Sequence, residues 1–331
     1  MQLDSELLDG AAGPGARVLA LARLADAEEA AARLGLPDDG EALHDFRVAV
    51  RRIRSTLRLL APALEGALSR KQTRRLAKLA RRTGPAREAE VLVAWLEEAR
   101  GRLGASSRGA LDWLLDRVER RRAEAAREVV EEALPRFTQL APRLTRRLSA
   151  RAPQRAGTAI SLSALLAAAL RTQVRALREA LGEVVGGEDA AGLHRARVEG
   201  KRLRYLLEPL RALPGADTAG AIAALKDLQE LLGRWNDRHQ ARQALARALL
   251  QAAADRVRRE RGTVSGDLRP GLLALDQLAN GEADALYRQL EERFLRTRAT
   301  ALLDLVYAVV AALEGNPPDE ASDAAAPERH G

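Results

Sequence analysis

The chain has no cysteine, which excludes disulfides and thiolate metal sites. Aromatic residues make up only 3% of it, little material for stacking unpaired nucleic-acid bases. No run of about 18 uncharged apolar residues occurs, so no membrane-spanning helix is expected. Runs of β-branched residues with period-two alternation are missing too, so strands are not expected. The N-terminus, Met1 to Gly13, is acidic and lacks a basic leader region, so no signal peptide is expected and a cytoplasmic location is the default. Lysine is scarce: Lys71, Lys78, Lys201 and Lys226 are all there is.

What is present points one way. The 331 residues are 47% hydrophobic, enough for two domains or one duplicated domain with a substantial core. Ala, Leu, Arg and Glu dominate, and all are good helix formers. The formal charge of +8 favours an anionic partner: nucleic acid, an acidic membrane or a phosphate polymer. A bias toward Arg, Ala and Gly is also what a GC-rich genome produces, so placement of charge must decide.

Placement is distinctive because one phrase is written twice. His44-Asp-Phe-Arg47-Val48-Ala-Val-Arg51-Arg52-Ile53-Arg54 recurs as His194-Arg-Ala-Arg197-Val198-Glu-Gly-Lys201-Arg202-Leu203-Arg204. Two of only four histidines open these phrases. The repetition continues downstream, where Leu79 to Glu88 aligns with Leu228 to Asp237.

Gly and Pro punctuate a succession of helical segments. Helices are expected over Ala16–Leu34, Glu41–Leu60, Leu64–Arg82 (stopped by Gly84-Pro85), Ala86–Leu103, Ser107 to Leu134 (broken by Pro135) and Phe137–Leu148. Residues 150 to 158 read as a linker. The second half is expected to run Leu162–Val185, Ala190–Leu213, Ala219–Leu232 ending at Gly233, a helix capped by Asn236 or Asp237 and running to Arg259, and a final helix over Glu282–Leu313. Gly315 to Gly331 reads as a disordered tail. The expectation is all-α: two helical bundles, 1–155 and 156–315, about a pseudo-two-fold axis.

On a helix at roughly 100° per residue, His44, Arg47, Arg51, Arg54 and Arg58 share a sector about 80° wide. Phe46, Val50, Ile53, Leu57 and Leu60 lie opposite. His194, Arg197, Lys201 and Arg204 repeat the basic face, and Glu208 stands where Arg58 stood. A solvated helix face usually mixes signs, because like charges at i,i+4 cost a few tenths of a kcal/mol each. Stacked cations repeated at one helical phase make sense if an anion sits between them.

The doubled phrase resembles the H-x-x-R-V-x-x-(K/R)-R-hydrophobic-R signature of the CHAD domain, the conserved-histidine α-helical domain. The resemblance spans roughly residues 5 to 314. Leu225-Lys226-Asp-Leu-Gln229-Glu-Leu-Leu232-Gly233-Arg-Trp-Asn236-Asp237 is similar to the family's L-K-x-L-Q-x-x-L-G-x-x-x-D. Gly84-Pro85-Ala86-Arg87-Glu88-Ala89-Glu90-Val91-Leu92 is similar to G-x-x-R-D-x-D-V-L, with Glu for both Asp.

The resemblance implies two four-helix bundles related by pseudo-two-fold symmetry, binding of inorganic polyphosphate in a basic central channel, and association with polyphosphate granules; enzymes of polyphosphate metabolism are candidate partners, and no cofactor is expected. It points to His44, Arg47, Arg51, Arg52, Arg54, His194, Arg197, Lys201, Arg202 and Arg204 as phosphate-binding residues. Arg58, Arg81, Arg82 and Lys226 stand as supports. A planar guanidinium fork suits phosphate oxygens.

Other readings stay open at this point. Basic helix faces also fit non-sequence-specific nucleic-acid binding. The histidines could serve as metal ligands, as phosphohistidine carriers, or as spacers within a bundle, although a ring of guanidiniums repels a metal ion. A catalytic triphosphate-hydrolysing domain would need E-x-E-x-K. Here Glu88-Ala-Glu90 leads to Leu92, so no enzyme is expected.

Overall fold

The computed structural model describes residues 3–34, 36, 39, 41–64, 66–150, 160–259, 267–296 and 298–315, with side chains to 254 in the third-last of these stretches. The expected linker at 150–158, apart from Ala150, and the tail beyond 315 lie outside the described residues.

The protein is all-α, and its helices run α1 (Ser5–Asp9), α2 (Ala12–Arg33), α3 (Ala42–Leu59), α4 (Arg70–Arg82), α5 (Gly84–Arg100), α6 (Arg108–Glu128), α7 (Leu134–Ser149), α8 (Leu162–Gly182), α9 (Ala190–Leu207), α10 (Thr218–Arg259), α11 (Arg269–Arg293) and α12 (Thr300–Leu313). Local chemistry sets many starts. Ser69 and Gln72 form a reciprocal capping box that begins α4 at Arg70, later than the expected Leu64. Asp189 caps α9 by accepting a hydrogen bond from Gly192 N at 2.8 Å.

Packing follows the sequence repeat. α2 lies on α3 as α8 lies on α9, and α7 lies on α2 as α12 lies on α8. The starts of α2 and α8 are joined: Ala12 N donates to Ile160 O at 2.9 Å and Leu162 N to Gly10 O at 2.8 Å. A Cβ on Gly15 would fall 2.6 Å from Leu162 Cδ2, so a glycine is needed for this close approach.

Two apolar clusters result. The larger is built from α2, α3, α4 and α7 together with α8, α9, α12 and the first part of α10; Phe46, Ile53, Leu166, Leu203 and Leu228 lie at its centre. The smaller gathers α5, α6, the later part of α10 and the start of α11, around Leu96, Leu111, Leu245 and Leu275. Each cluster takes residues from both sides of residue 155.

Three expected boundaries are corrected. Gly233 does not stop a helix, and Asn236 and Asp237 cap nothing; α10 runs unbroken through all three. A glycine costs roughly 1 kcal/mol in a helix interior, which burial of Leu231, Leu232 and Trp235 on one side and Ala241 and Leu245 on the other readily offsets. In the first half Gly84 is followed by Pro85, which cannot continue a helix, so α4 ends and α5 begins there with Pro in its first turn. Arg234 occupies the matching place in the second half.

Pro135 does not break the chain either. A π-helical turn at Val129–Ala133 precedes it, and α7 continues at once. The final helix is really two. It starts at Arg269 rather than Glu282, and buried Phe294 and Leu295 pull the chain out of helix. Arg296 follows at φ 61°, the left-handed region, before α12 begins.

Candidate anion site between the two repeated helices

The two phrase helices pack against each other, and their basic faces meet over a cavity of about 620 Å³. Residues related by the repeat arrive there in pairs: His44 with His194, Arg47 with Arg197, Arg51 with Lys201, and Glu88 with Asp237. α5, α6 and α10 close the other sides. The lining holds eight Arg and Lys side chains against two carboxylates, and no Phe, Tyr or Trp.

Crowding of like charge leaves its mark. Burial, then the cations of Arg197, Arg51, Arg47 and Arg204, push the Lys201 ammonium down to about 6. Burial, then Arg51, Arg197 and Arg87, lower Arg47 to about 10. Arg197 is lowered chiefly by burial, and its Nε is enclosed without a hydrogen-bond partner. Both histidines are pushed below the ordinary imidazole value, first by burial, then by Arg87 for His44 and by Arg197 and Lys201 for His194. An unpartnered buried donor and several destabilised cations are what an anion would relieve.

The remaining candidates are sorted by the tertiary structure. Arg51 Nε donates to Tyr205 Oη at 3.0 Å, tying the first phrase to the second. Arg52 and Arg204 do not reach the cavity. Both pair with Glu208, at 3.3 and 3.4 Å, which Arg23 joins at 3.6 Å. Arg202 pairs with Glu199. Arg54 lies outside the cavity with Arg202, Arg51, Arg58 and Arg81 around it, and burial followed by these charges lowers its pKa. Arg58 and Arg81 are exposed. Arg82 turns away toward α7 and pairs with Glu132. Lys226 is exposed on α10 and does not line the cavity.

Four lining cations fall outside the phrases: Arg87, Arg117, Arg121 and Arg247. Arg87 stands in the Gly84 to Leu92 segment, where a signal existed. Arg117 and Arg121 are i,i+4 neighbours on α6, with Arg117 over the Trp113 ring at 4.6 Å. Their segment mixes charges of both signs, so nothing local marked them. Among the described residues no group of three His, Asp or Glu side chains is arranged to hold a metal ion, and no helix is long and apolar enough to cross a membrane.

No curated protein matches the chain. The crystal structure of the CHAD domain from the plant Ricinus communis is similar over 94% of both chains, with 24% identity and a TM-score of 0.61. PptA from Streptomyces chartreusis is similar over 86% of this chain and all of its own, with 20% identity and a TM-score of 0.62. These likenesses concern the fold. The family model of the CHAD domain matches residues 18–246, which include both phrases and every cavity wall but the end of α10, and the chain therefore belongs to the CHAD domain family.

Proposed function

We propose that this protein binds inorganic polyphosphate in the cavity between α3 and α9, as a binding protein and not a catalyst. The observation that carries the reading is the convergence of repeat-related cations, Arg47 with Arg197 and Arg51 with Lys201, on one cavity. Guanidinium forks engage phosphate oxygens, and a lining without Phe, Tyr or Trp fits a polyanion without bases better than a nucleic acid. Glu88 on α5 and Asp237 on α10 attract Arg47 and Arg197 electrostatically. The two duplicated halves then act as one site. Placement at polyphosphate granules, beside enzymes that make or degrade the polymer, follows from this reading.

Calorimetric titration with polyphosphate tests it. If about six cations contact phosphate, log K against log salt falls with a slope near −4, by the single-strand coefficient of about −0.7 per contact. Polyphosphate should also displace single-stranded DNA at one fixed salt concentration. Displacement in the opposite order overturns the proposal.

A further inference from the structure

A second basic groove lies on the outside of the first half, between α4 and α7, with a volume of about 470 Å³. Its walls are two helical rows of one pattern: Arg75, Lys78, Leu79, Arg82 on α4 and Arg136, Gln139, Leu140, Arg143 on α7. The spacing i, i+3, i+4, i+7 puts each row on one face. Leu79 and Leu140 are buried and form the floor. Each row extends about 10 Å at 1.5 Å per residue.

Charge here is not balanced. α4 carries seven cations in thirteen residues, and neither α4 nor α7 contains a carboxylate. Glu132, from the π turn, pairs with Arg82 and with Arg136 at 3.0 Å. Arg75, Lys78 and Arg143 have no carboxylate partner among the described residues. The second half lacks the feature. At the repeat-related positions stand Ala224, Asp227 and Leu231, and Asp227 pairs with Arg293 at 3.1 Å. The groove is therefore not a by-product of the duplicated scaffold.

It is also connected. Arg54, Arg58 and Arg81 cluster at the end of the α3 stripe, outside the cavity. Arg81 and Arg82 are adjacent on α4; Arg81 is close enough to Arg54 for their charges to repel, and Arg82 lines the groove.

We infer that the α4–α7 groove holds a second stretch of the same linear polyanion, which leaves the cavity over Arg54, Arg58 and Arg81. This inference rests on the polyphosphate reading above. Two linked segments bind a long chain more tightly than either alone, while a short chain fills only the cavity.

Lysine footprinting reads both sites at once, because Lys201 lines the cavity, Lys78 lines the groove and exposed Lys226 lies in neither. Trace acetylation of the full chain is followed by mass spectrometry with long polyphosphate or with tripolyphosphate. The long chain should protect Lys78 and Lys201, and tripolyphosphate Lys201 alone, with Lys226 unchanged. The variant Arg75→Gln/Lys78→Gln/Arg143→Gln removes only exposed side chains. It should bind the long chain about tenfold more weakly and tripolyphosphate as the wild type does.

Protection of Lys201 without Lys78 by the long chain overturns the groove and leaves the cavity intact. Protection of Lys78 without Lys201 sinks the cavity reading and leaves the groove as the binding site. Equal protection of Lys78 by tripolyphosphate, or full long-chain affinity in the triple variant, overturns the second-stretch assignment.

Discussion

The α3 and α9 stripes come from one repeated phrase yet end differently. On α3, Arg54 and Arg58 have no carboxylate partner among the described residues, and the stripe runs out into exposed arginine. On α9, the C-terminal end is closed. Arg204 pairs with Glu208, which stands at the place of Arg58 and also takes Arg52 and Arg23 from the first half. Lys201, the counterpart of Arg51, is the most strongly destabilised cation of the site. One half thus supplies an open, permanently charged track. The other supplies a buried cation whose charge depends on its neighbours, and a carboxylate that locks the halves together. Duplication gave both helices the same basic face; a single acid at one end gave the pair a direction.

The comparison breaks most visibly at the cavity. Charge-assisted hydrogen bonds contribute about 1.5–3 kcal/mol each, so Arg51→Gln/Lys201→Gln should weaken polyphosphate binding by roughly 100-fold or more, with helicity unchanged by circular dichroism. A loss under threefold in a calorimetric titration would place the anion elsewhere. The same substitution at Arg52 and Arg204 should act on stability instead, because those cations face Glu208.

Glu208 itself tests the closed end. Removing a half-buried acid shared by three arginines leaves their charges uncompensated, which costs about 3–5 kcal/mol in full burial and less at this exposure. Glu208→Gln should therefore lower stability by roughly 2 kcal/mol in urea unfolding, whereas Arg58→Gln, at the equivalent exposed place, should leave it unchanged. Equal effects would mean that the two ends are alike after all.

A third test uses pH. The folded Lys201 value of about 6 lies below the ordinary lysine value, and both histidines are also depressed. The unfolded chain then binds more protons over the interval above pH 6, so stability of the free protein rises with pH through that window. Lys201→Met should flatten the rise. A bound polyanion reverses the field, so binding should take up protons and strengthen as pH falls from about 8 to about 6. Calorimetry in buffers of different ionisation enthalpy measures this uptake. Arg51→Lys, which gives both stripes a lysine, should enlarge it; no change would show that burial on α9, and not lysine as such, sets the titration.

The smallest effect separates the two glycines. Gly233 lies inside α10 with open space around its Cβ position. Gly233→Ala should stabilise by roughly 0.5–1 kcal/mol. Gly84→Ala, at the start of α5 beside Pro85, should move stability by only a few tenths of a kcal/mol. Thermal unfolding of both variants distinguishes them.

Much of this was legible in the residues. The lack of alternating β-branched runs spoke against strands, and the wheel placed His44, Arg47 and Arg51 on one face opposite Phe46, Val50 and Ile53. Periodicity reports azimuth on a single helix, and that is enough for an amphipathic one. It also misled where punctuation was read too literally. Gly233 looked like Gly84, but only Gly84 is followed by a proline, and only a proline removes the donor a helix needs. Glu282 looked like a helix start, but α11 already begins at Arg269, and the break before α12 falls at buried Phe294 and Leu295.

What the sequence alone determined was an all-α chain carrying two helices with matching basic faces, because side-chain direction along a helix follows from its 3.6-residue repeat. The tertiary structure alone decided which cations meet. Packing α3 against α9 brought Arg51 beside Lys201 and Arg197, drew Arg87, Arg121 and Arg247 in from other helices, and sent Arg52 and Arg204 to Glu208 and Arg82 to the α7 groove. Each of those outcomes depends on which helix lies opposite, a long-range relation set by burial of Phe46, Leu203 and Leu228 in a shared core, and no local pattern encodes it.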